Sequence, residues 1–243
     1  MEVIDGSWTL FGLDSDDPNC IHTVEEAEVF IDKVGFLPLF RNEIDGFSLE
    51  EHTNPSDWWS GNPEKDPWMW RAIIASKHNI LYGKYFNKKA GFISKKFIPD
   101  FVNYRRDGYD FDALFDDGKA PFKHKKIMMN FMDDYADQRI MSYDLKEKAG
   151  FGKNGEKGFD GVITKLMMQT YLCNSDFRKK MNKKHEEFGW DVAEYATPES
   201  IFGYKYVTSH YKDAPNESYD RLVARIKKLY PQASEKAINK VLK

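Results

Sequence analysis

The stretch FDGVITKLMMQTY, residues 159–171, decides how the chain is interpreted. Its apolar side chains recur at the spacing i, i+3, i+4, i+7 and i+8, which places them on one face of an α-helix. The positions on this inward face are Phe159, Val162, Ile163, Leu166 and Met167. The outward positions are Asp160, Thr164, Lys165, Met168 and Gln169. We therefore predict an amphipathic helix whose outward face is available to a partner.

The segments on either side of this helix are predicted to complete a winged helix. The preceding runs are, in order, the helical KKIMMNFMDDY (125–135), the helical SYDLKEKAG (142–150) and the glycine-rich loop FGKNGEKG (151–158). The following runs are the strand-like YLCNSDF (171–177), the basic tip RKKMNKKHEE (178–187) and the strand-like GWDVAEYA (189–196). Three helices followed by a hairpin are typical of a winged helix. The predicted fold class is mainly α (α+β), with winged helix-turn-helix units and small β hairpins.

A winged helix suggests a nucleic-acid partner. Such a domain places its third helix in the major groove of duplex DNA and its wing against the phosphates. We therefore predict double-stranded DNA as the partner. The predicted DNA-binding residues are Lys153, Lys157, Lys165, Gln169, Arg178, Lys179, Lys180, Lys183 and Lys184. In the alternative interpretation these are solvated surface residues, and the winged helix is a protein-interaction module.

Charge is distributed unevenly along the chain. Residues 1–70 hold three basic and sixteen acidic residues, a balance of −13, whereas the remaining residues have a balance of +10. This asymmetry predicts that a polyanionic partner contacts the second part of the chain. No apolar run reaches the length of a membrane span, and the acidic N-terminus is unlike a secretory signal. We expect no membrane association.

Cysteine and histidine usage predicts a cytoplasmic protein without a metal centre. Cys20 and Cys173 are expected to be reduced core thiols rather than a disulfide. The six histidines are scattered and do not match the ligand spacing of a zinc site. No phosphate-binding loop, dinucleotide fingerprint or nucleophile elbow is present. The sequence therefore predicts no cofactor, and it leaves the oligomeric state open.

We predict two domains, an acidic and aromatic-rich part over 1–120 and a winged-helix domain with C-terminal helices over 121–243. The first is a candidate for a partial winged helix. It contains a predicted helix over 23–34, in which Thr23 and Glu26 form a capping box. The helices predicted over 216–231 and 233–243 are expected to pack on the winged helix.

The stretch WWSGNPEKDPWMWR, residues 58–71, holds four of the six tryptophans. With Asp66 as N-cap and Pro67 at the first helical position, it begins a helix that places Trp70 on the core face. The remaining aromatic and polar groups are candidates for a pocket that stacks on a base or another planar ligand. This candidate pocket consists of Trp58, Trp59, Trp68, Arg71 and Tyr82. The alternative is that these indoles are structural and only pack in the N-terminal core or hold the surrounding loop in place.

Several of these motifs together resemble proteins related to the AlkZ-type DNA glycosylases. The matching segments are GFLPLF (35–40), WWSGNPEKDPWMWR (58–71), YGKYFNKKAGFIS (82–94), NYRRDGYDFDA (103–113), GFDGVITKLMMQTYL (158–172) and YATPE (195–199). The resemblance to a shorter related group covers roughly residues 20–230, whereas that to the glycosylases proper is mainly the winged-helix core. It implies tandem winged helices around a DNA channel, and an activity that removes alkylated or crosslinked purines.

The resemblance also locates the family's catalytic positions. Their signature, Gln-x-Gln or Gln-x-Asp, follows a helix and a glycine–apolar pair, which Gly35 and Phe36 match here. Pro38 and Phe40 then stand at the two catalytic positions. Neither side chain can orient a water molecule or offset the charge of an oxocarbenium ion. The resemblance therefore carries over no catalytic residue.

Three hypotheses for the function follow from these observations. The first is a non-enzymatic DNA-binding protein. The second is a DNA glycosylase with a relocated carboxylate, for which Glu43 and Asp45 are the candidates; the alternative for both is an ordinary turn residue. The third is a protein-interaction module that never contacts DNA.

Overall fold

The computed structural model describes residues 2–4, 7–132, 138–181, 184 and 186–243. Its helices are α1 (Val24–Val34), α2 (Pro67–Lys77), α3 (Ile98–Arg106), α4 (Phe111–Asp116), α5 (Phe122–Met128), α6 (Ser142–Lys148), α7 (Phe159–Met168), α8 (Pro198–Phe202), α9 (Tyr204–Val207), α10 (Pro215–Leu229) and α11 (Glu235–Leu242). Its strands are β1 (Glu2–Ile4), β2 (Ser7–Thr9), β3 (Phe36–Pro38), β4 (Ile80–Phe86), β5 (Lys89–Ser94), β6 (Ile140–Met141), β7 (Cys173–Met181) and β8 (Glu187–Ala196). Short 3₁₀ helices span Glu50–His52, Pro55–Asp57 and Lys95–Phe97. The α+β class is confirmed.

The chain divides into two compact units. Unit 1 comprises the residues up to Ile98 together with Tyr219–Lys243, and unit 2 comprises Pro99–Ser218. This division runs along a different boundary from the predicted domains 1–120 and 121–243, because the C-terminal segment belongs with the N-terminal residues. Independent folding of the predicted domains stays a prediction. No helix in the described part of the chain is long and apolar enough to cross a membrane.

In unit 1 an antiparallel sheet of order β3-β5-β4 is preceded by a capped helix. The Thr23 hydroxyl accepts the N–H of Glu26, which confirms the predicted N-cap, whereas the Glu26 carboxylate accepts the N–H of His22 instead of closing a capping box on Thr23. The helix ends at Gly35, which has a φ of 102°. A Cβ there would lie 2.3 Å from the Phe97 ring, so only glycine fits. This turn leads the chain directly into β3.

The C-terminal helices correct one expectation. They were predicted to pack on the winged helix, but residues from Tyr219 onward lie in unit 1. The Arg225 side chain donates from Nε to the carbonyl oxygen of Val34 at 2.9 Å. Ile238, Val241 and Leu242 are buried along one face of α11. The sequence showed that α11 is amphipathic, but an apolar stripe does not say which surface will cover it.

Unit 2 contains α5, β6, α6, α7, β7 and β8 in that chain order, with an antiparallel sheet of order β7-β8-β6. The predicted helices over 142–150 and 159–171 and both strand-like runs are confirmed, although each helix is shorter. The first helix begins at Phe122 rather than at residue 125 and ends at Met128. Residues 133–135, which the prediction included, lie outside the described residues.

An ion pair with a buried guanidinium joins distant segments of unit 2. Arg106, on α3, pairs through Nη1 with Glu199 on α8, and its Nη2 donates to the carbonyl oxygen of Thr170 at 2.7 Å. Burial alone would lower the pKa of the guanidinium, but the charge of Glu199 raises it above its ordinary value. The two ends of the unit also meet, since Asn103 Nδ2 donates to the Ser218 hydroxyl at 3.0 Å.

Candidate nucleic-acid interface

The hairpin of β7 and β8 presents aromatic side chains to solvent. Trp190 is 91% exposed and Phe188 is 48% exposed. Regular alternation of the two strand faces is interrupted at Trp190, because Gly189 has a φ of 74° and the β7–β8 register shifts between Phe188 and Val192. Across the ladder, Lys180 pairs with Phe188 and Arg178 pairs with Val192, with an irregularity between the two cations. The register therefore places one cation on each side of Trp190.

The predicted wing residues differ in how far their charges are already neutralised. Arg178 donates from Nε to Asp176 Oδ2 at 2.7 Å and lies 3.8 Å from Glu194 Oε1. The hydrogen bond to Asp176 and the charge of Glu194 raise the pKa of the Arg178 guanidinium. Lys179 is exposed and makes no ion pair with the described residues.

The remaining tip residues extend this basic surface. Lys180 is half-buried, and its ammonium lies 5.5 Å from the centre of the Tyr143 ring. Lys184 is exposed. Lys183 lies outside the described residues. Lys179 and Lys180 are therefore the hairpin lysines whose surroundings are best defined.

In the loop between α6 and α7, the acidic residue pairs with lysines of α5 rather than with the lysines of the loop itself. Glu156 accepts Lys123 and Lys126 from α5, both at 3.1 Å, and hydrogen bonds to both lysines lower its pKa. Lys153 and Lys157 are exposed, and within the described part of the chain neither has an acidic partner. The glycine-rich loop therefore exposes two lysines that no acid among the described residues neutralises.

On the outward face of α7, one further lysine lacks an acidic partner among the described residues. Lys165 is exposed and pairs with no acid among the described residues. Gln169 follows the last helical turn, and its Oε1 atom is buried and without a hydrogen-bond donor in the described structure. Base reading by Gln169 stays a prediction, because this oxygen is directed away from solvent.

Sequence reasoning assigned Trp190 to a strand and gave it no role. The signal was available, because Phe188, Trp190 and Val192 alternate with Glu187, Gly189 and Asp191 beside a basic tip. An alternating strand normally turns its apolar face to a core. Only the structure shows that this part of the hairpin extends beyond the core and leaves the indole uncovered.

The tryptophan-rich loop in unit 1 divides the candidate pocket into core and surface. Trp58 is 5% exposed and donates from Nε1 to the Thr53 hydroxyl at 2.9 Å, and Trp70 is fully buried. Trp59 is 49% exposed and has a φ of 58°, an unusual conformation for a bulky residue. Its ring centre lies 5.7 Å from that of Trp58 and 6.4 Å from that of Trp68.

Two polar candidates lie at different depths in this cluster. The Arg71 guanidinium stacks 3.9 Å from the centre of the Trp68 ring. Tyr82 is buried, and burial raises the pKa of its phenol to about 12 despite the opposing charge of Arg71. Phe40 completes the cluster, since its ring centre is 5.3 Å from that of Trp58. The structure thus brings Trp58, Trp59, Trp68 and Phe40 together, and Trp59 presents their exposed surface.

The two candidate carboxylates have different surroundings. Glu43 pairs with Lys240, and both line a cavity of about 230 Å³ in unit 1 together with Pro38 and Lys89. Partial burial opposes ionisation, but the hydrogen bond from Lys240 lowers the pKa of Glu43 overall. Asp45 is well exposed and pairs with Arg41 at 3.1 Å.

Both cysteines are buried free thiols. Among the described residues, no group of three or more His, Cys, Asp or Glu side chains is placed to hold a metal ion.

Comparison with known proteins places the chain in a family. A solved structure, the Streptomyces sahachiroi DNA glycosylase AlkZ, is similar at a TM-score of 0.49 and 10% sequence identity. The similarity covers 92% of this chain and 60% of that one, so this chain spans about 60% of the glycosylase's length. No curated protein gives a significant match. The family described as AlkZ related matches residues 21–243, nearly the whole sequence, and the chain therefore belongs to the AlkZ-related family.

Proposed function

We propose that residues 122–196 form a winged helix that binds duplex DNA. The chain order of three helices, a short strand and a long hairpin supports this assignment, as does membership of the AlkZ-related family. In this arrangement α7 enters the major groove and the β7–β8 hairpin is the wing. A cytoplasmic location, inferred from the reduced cysteines, belongs to the same proposal.

The observation that carries the proposal is a set of lysines without acidic partners in the described part of the chain. They lie on the α6–α7 loop, the outward face of α7 and the wing, and they are Lys153, Lys157, Lys165 and Lys179. An ammonium group that is not already neutralised can displace counterions from phosphates. Each phosphate contact contributes about 0.9 to the slope of log affinity against log salt. Four contacts thus predict a slope of about −3 to −4.

The proposal is tested by fluorescence anisotropy of a labelled duplex at increasing salt. The double variant Lys153→Glu/Lys157→Glu should bind more weakly and lower the salt slope by about 2. The control is Lys33→Glu/Lys65→Glu, which changes the net charge equally but alters unit 1. Equal weakening by both variants would leave only a non-specific charge effect. Absence of duplex binding by the wild type at low salt would favour the protein-interaction module.

We also propose a second candidate function, a DNA glycosylase in which Glu43 acts as the relocated carboxylate. Its support is that Glu43 opens onto the same cavity as Pro38, which stands at the family's first catalytic position by resemblance. The lowered pKa keeps this carboxylate ionised at neutral pH. An ionised carboxylate can orient water and offset the charge of an oxocarbenium ion.

The glycosylase candidate is tested by release of alkylated bases from treated duplex DNA. Glu43→Gln should abolish base release and leave duplex affinity unchanged. Asp45→Asn, which changes the neighbouring exposed acid, should retain the activity. If the wild type releases no base, or if Glu43→Gln releases base at the wild-type rate, this candidate is excluded and the non-enzymatic role remains.

A further inference from the structure

We propose that Trp190 is a wedge that inserts between bases of the bound duplex, and that the preferred ligand is DNA with a locally weakened stack, such as a mismatch. This inference rests on the proposed DNA-binding function of unit 2. Contacts of α7 with the groove and of lysines with phosphates do not explain why Trp190 is exposed, and the wedge gives this side chain a role.

The first argument is exposure. Trp190 is 91% exposed, the greatest exposed fraction among the large apolar side chains described, and Phe188 beside it is 48% exposed. The other described indoles of known exposure are buried or packed against aromatic neighbours, as Trp58 and Trp70 illustrate. An uncovered indole gives up the stabilisation that burial of a large apolar surface provides. Its retention at a projecting position points to a partner that covers it.

The second argument is the position of charge around the indole. The cross-strand register pairs Arg178 with Val192 and Lys180 with Phe188, so a cation lies opposite each of the two residues that stand two positions before and after Trp190. The strand that pairs with β8 is therefore cationic on both sides of Trp190, although Asp176 and Glu194 partly neutralise Arg178.

This combination fits a base step better than a flat apolar surface. Apolar side chains that wedge between base pairs are flanked by cations that hold the adjacent phosphates. The exposed large apolar side chains of the hairpin among the described residues are Trp190, Phe188 and Met181, whereas a stable protein interface involves about 20–30 residues on each side. The planar ring matches the area of a base, and stacking requires no particular sequence.

A weakened stack should be the preferred ligand because insertion costs the energy of separating two bases. That cost is smallest where the bases are mismatched or unpaired. Stacking of one base on an aromatic side chain corresponds to about a 5- to 150-fold change in affinity when the ring is removed. We therefore expect wild type to bind a duplex with a central mismatch about tenfold more tightly than the matched duplex.

The test uses the full-length protein and two duplexes of equal length, one fully paired and one with a central mismatch. Each carries 2-aminopurine beside the central pair, and its fluorescence rises when the base loses its stacking neighbours. Wild type should raise this fluorescence and prefer the mismatch. Trp190→Ala should lose both effects and retain the salt slope of the matched duplex, whereas Trp190→Phe should restore part of each.

Val29→Ala is the control, because it removes an exposed apolar side chain of unit 1 that belongs to no proposed site, and it should behave as wild type. If Trp190→Ala keeps the mismatch preference and the fluorescence rise, the wedge is wrong while DNA binding stands. If Trp190→Ala weakens binding to anionic lipid vesicles but not to either duplex, the indole serves a membrane surface and the wedge is wrong. If wild type binds neither duplex, the proposed function and the wedge fail together.

Discussion

The buried carboxylate of Asp66 accepts the backbone N–H of Trp59 at 3.0 Å. The same carboxylate accepts the N–H of Gly61 at 3.0 Å and that of Trp68 at 2.9 Å, so one side chain caps α2 and fixes the preceding loop. The left-handed conformation of Trp59 is thus stabilised from outside the residue itself.

Removal of this carboxylate should destabilise unit 1 and release the loop. We expect Asp66→Ala to lower the free energy of unfolding by about 2–4 kcal/mol, because it removes a helix cap and leaves two further N–H groups without their acceptor. Urea denaturation followed by tryptophan fluorescence measures this change. Glu64→Ala, an exposed acid in the same loop, is the control and should change stability by less than about 0.5 kcal/mol.

The tryptophans of this loop should differ in their contribution to stability according to how deeply each is buried. Trp70→Ala empties a fully buried site and should cost about 3–5 kcal/mol. Trp59→Ala removes a half-exposed ring and should cost about 1 kcal/mol or less. Thermal unfolding of the two variants under identical conditions tests the difference. Equal destabilisation would contradict the assignment of Trp59 to the surface.

Loss of either partner of the Arg106–Glu199 ion pair should lower the stability of unit 2. Glu199→Ala leaves the Arg106 guanidinium buried without its counterion, and we expect a loss of about 3 kcal/mol. The comparison is Asp117→Ala, which removes an exposed partner of Lys119 and should cost less than about 0.5 kcal/mol. Chemical denaturation of both variants provides the measurement.

Alkaline pH should weaken unit 1 through Tyr82. Burial raises its pKa to about 12 in the folded state, whereas the unfolded phenol titrates near pH 10. Its contribution is therefore complete below pH 10 and is lost as pH rises through about 12. Between about pH 9 and about pH 11 this corresponds to a loss of about 1 kcal/mol.

Urea titrations at these two pH values, for wild type and Tyr82→Phe, measure that contribution. The phenylalanine variant should lose about 1 kcal/mol less than wild type over the interval. An identical decrease of the free energy of unfolding in both proteins would show that folding does not raise the pKa of Tyr82.

Both thiols should be inert in the folded protein. Burial raises the pKa of Cys20 and of Cys173, so the reactive thiolate is scarce at neutral pH. A thiol-reactive disulfide reagent should modify both cysteines only after denaturant is added. Mass spectrometry of the untreated protein should give the mass of two free thiols, and a disulfide-linked mass would contradict this prediction.

Local signals predicted local structure well. Thr23 and Asp66 each cap a helix as expected, because a cap depends on residues only a few positions away. The inward face of α7 was likewise readable, since all of its apolar residues from Phe159 to Met167 are buried. Periodicity is sufficient for such features because the helix itself fixes the spacing.

Long-range features could not be predicted in the same way. The ion pair of Arg106 and Glu199 joins residues that lie 93 positions apart in the sequence. The gathering of Pro38, Glu43 and Lys240 at one cavity depends on where α11 packs. The full exposure of Trp190 depends on how far the hairpin extends beyond its sheet. Each requires knowledge of which surfaces meet, and a single sequence does not encode that in any short window.

The division of the chain has a consequence for its synthesis. Unit 2 is a continuous segment whose ends are joined by the hydrogen bond between Asn103 and Ser218, whereas unit 1 needs its last residues, including Arg225 and the apolar face of α11. On the ribosome, the later-made unit can therefore finish folding first, and the residues made first must wait for the last helix to emerge. Chaperone demand during translation should accordingly fall on the N-terminal segment, whose apolar strands stay uncovered the longest.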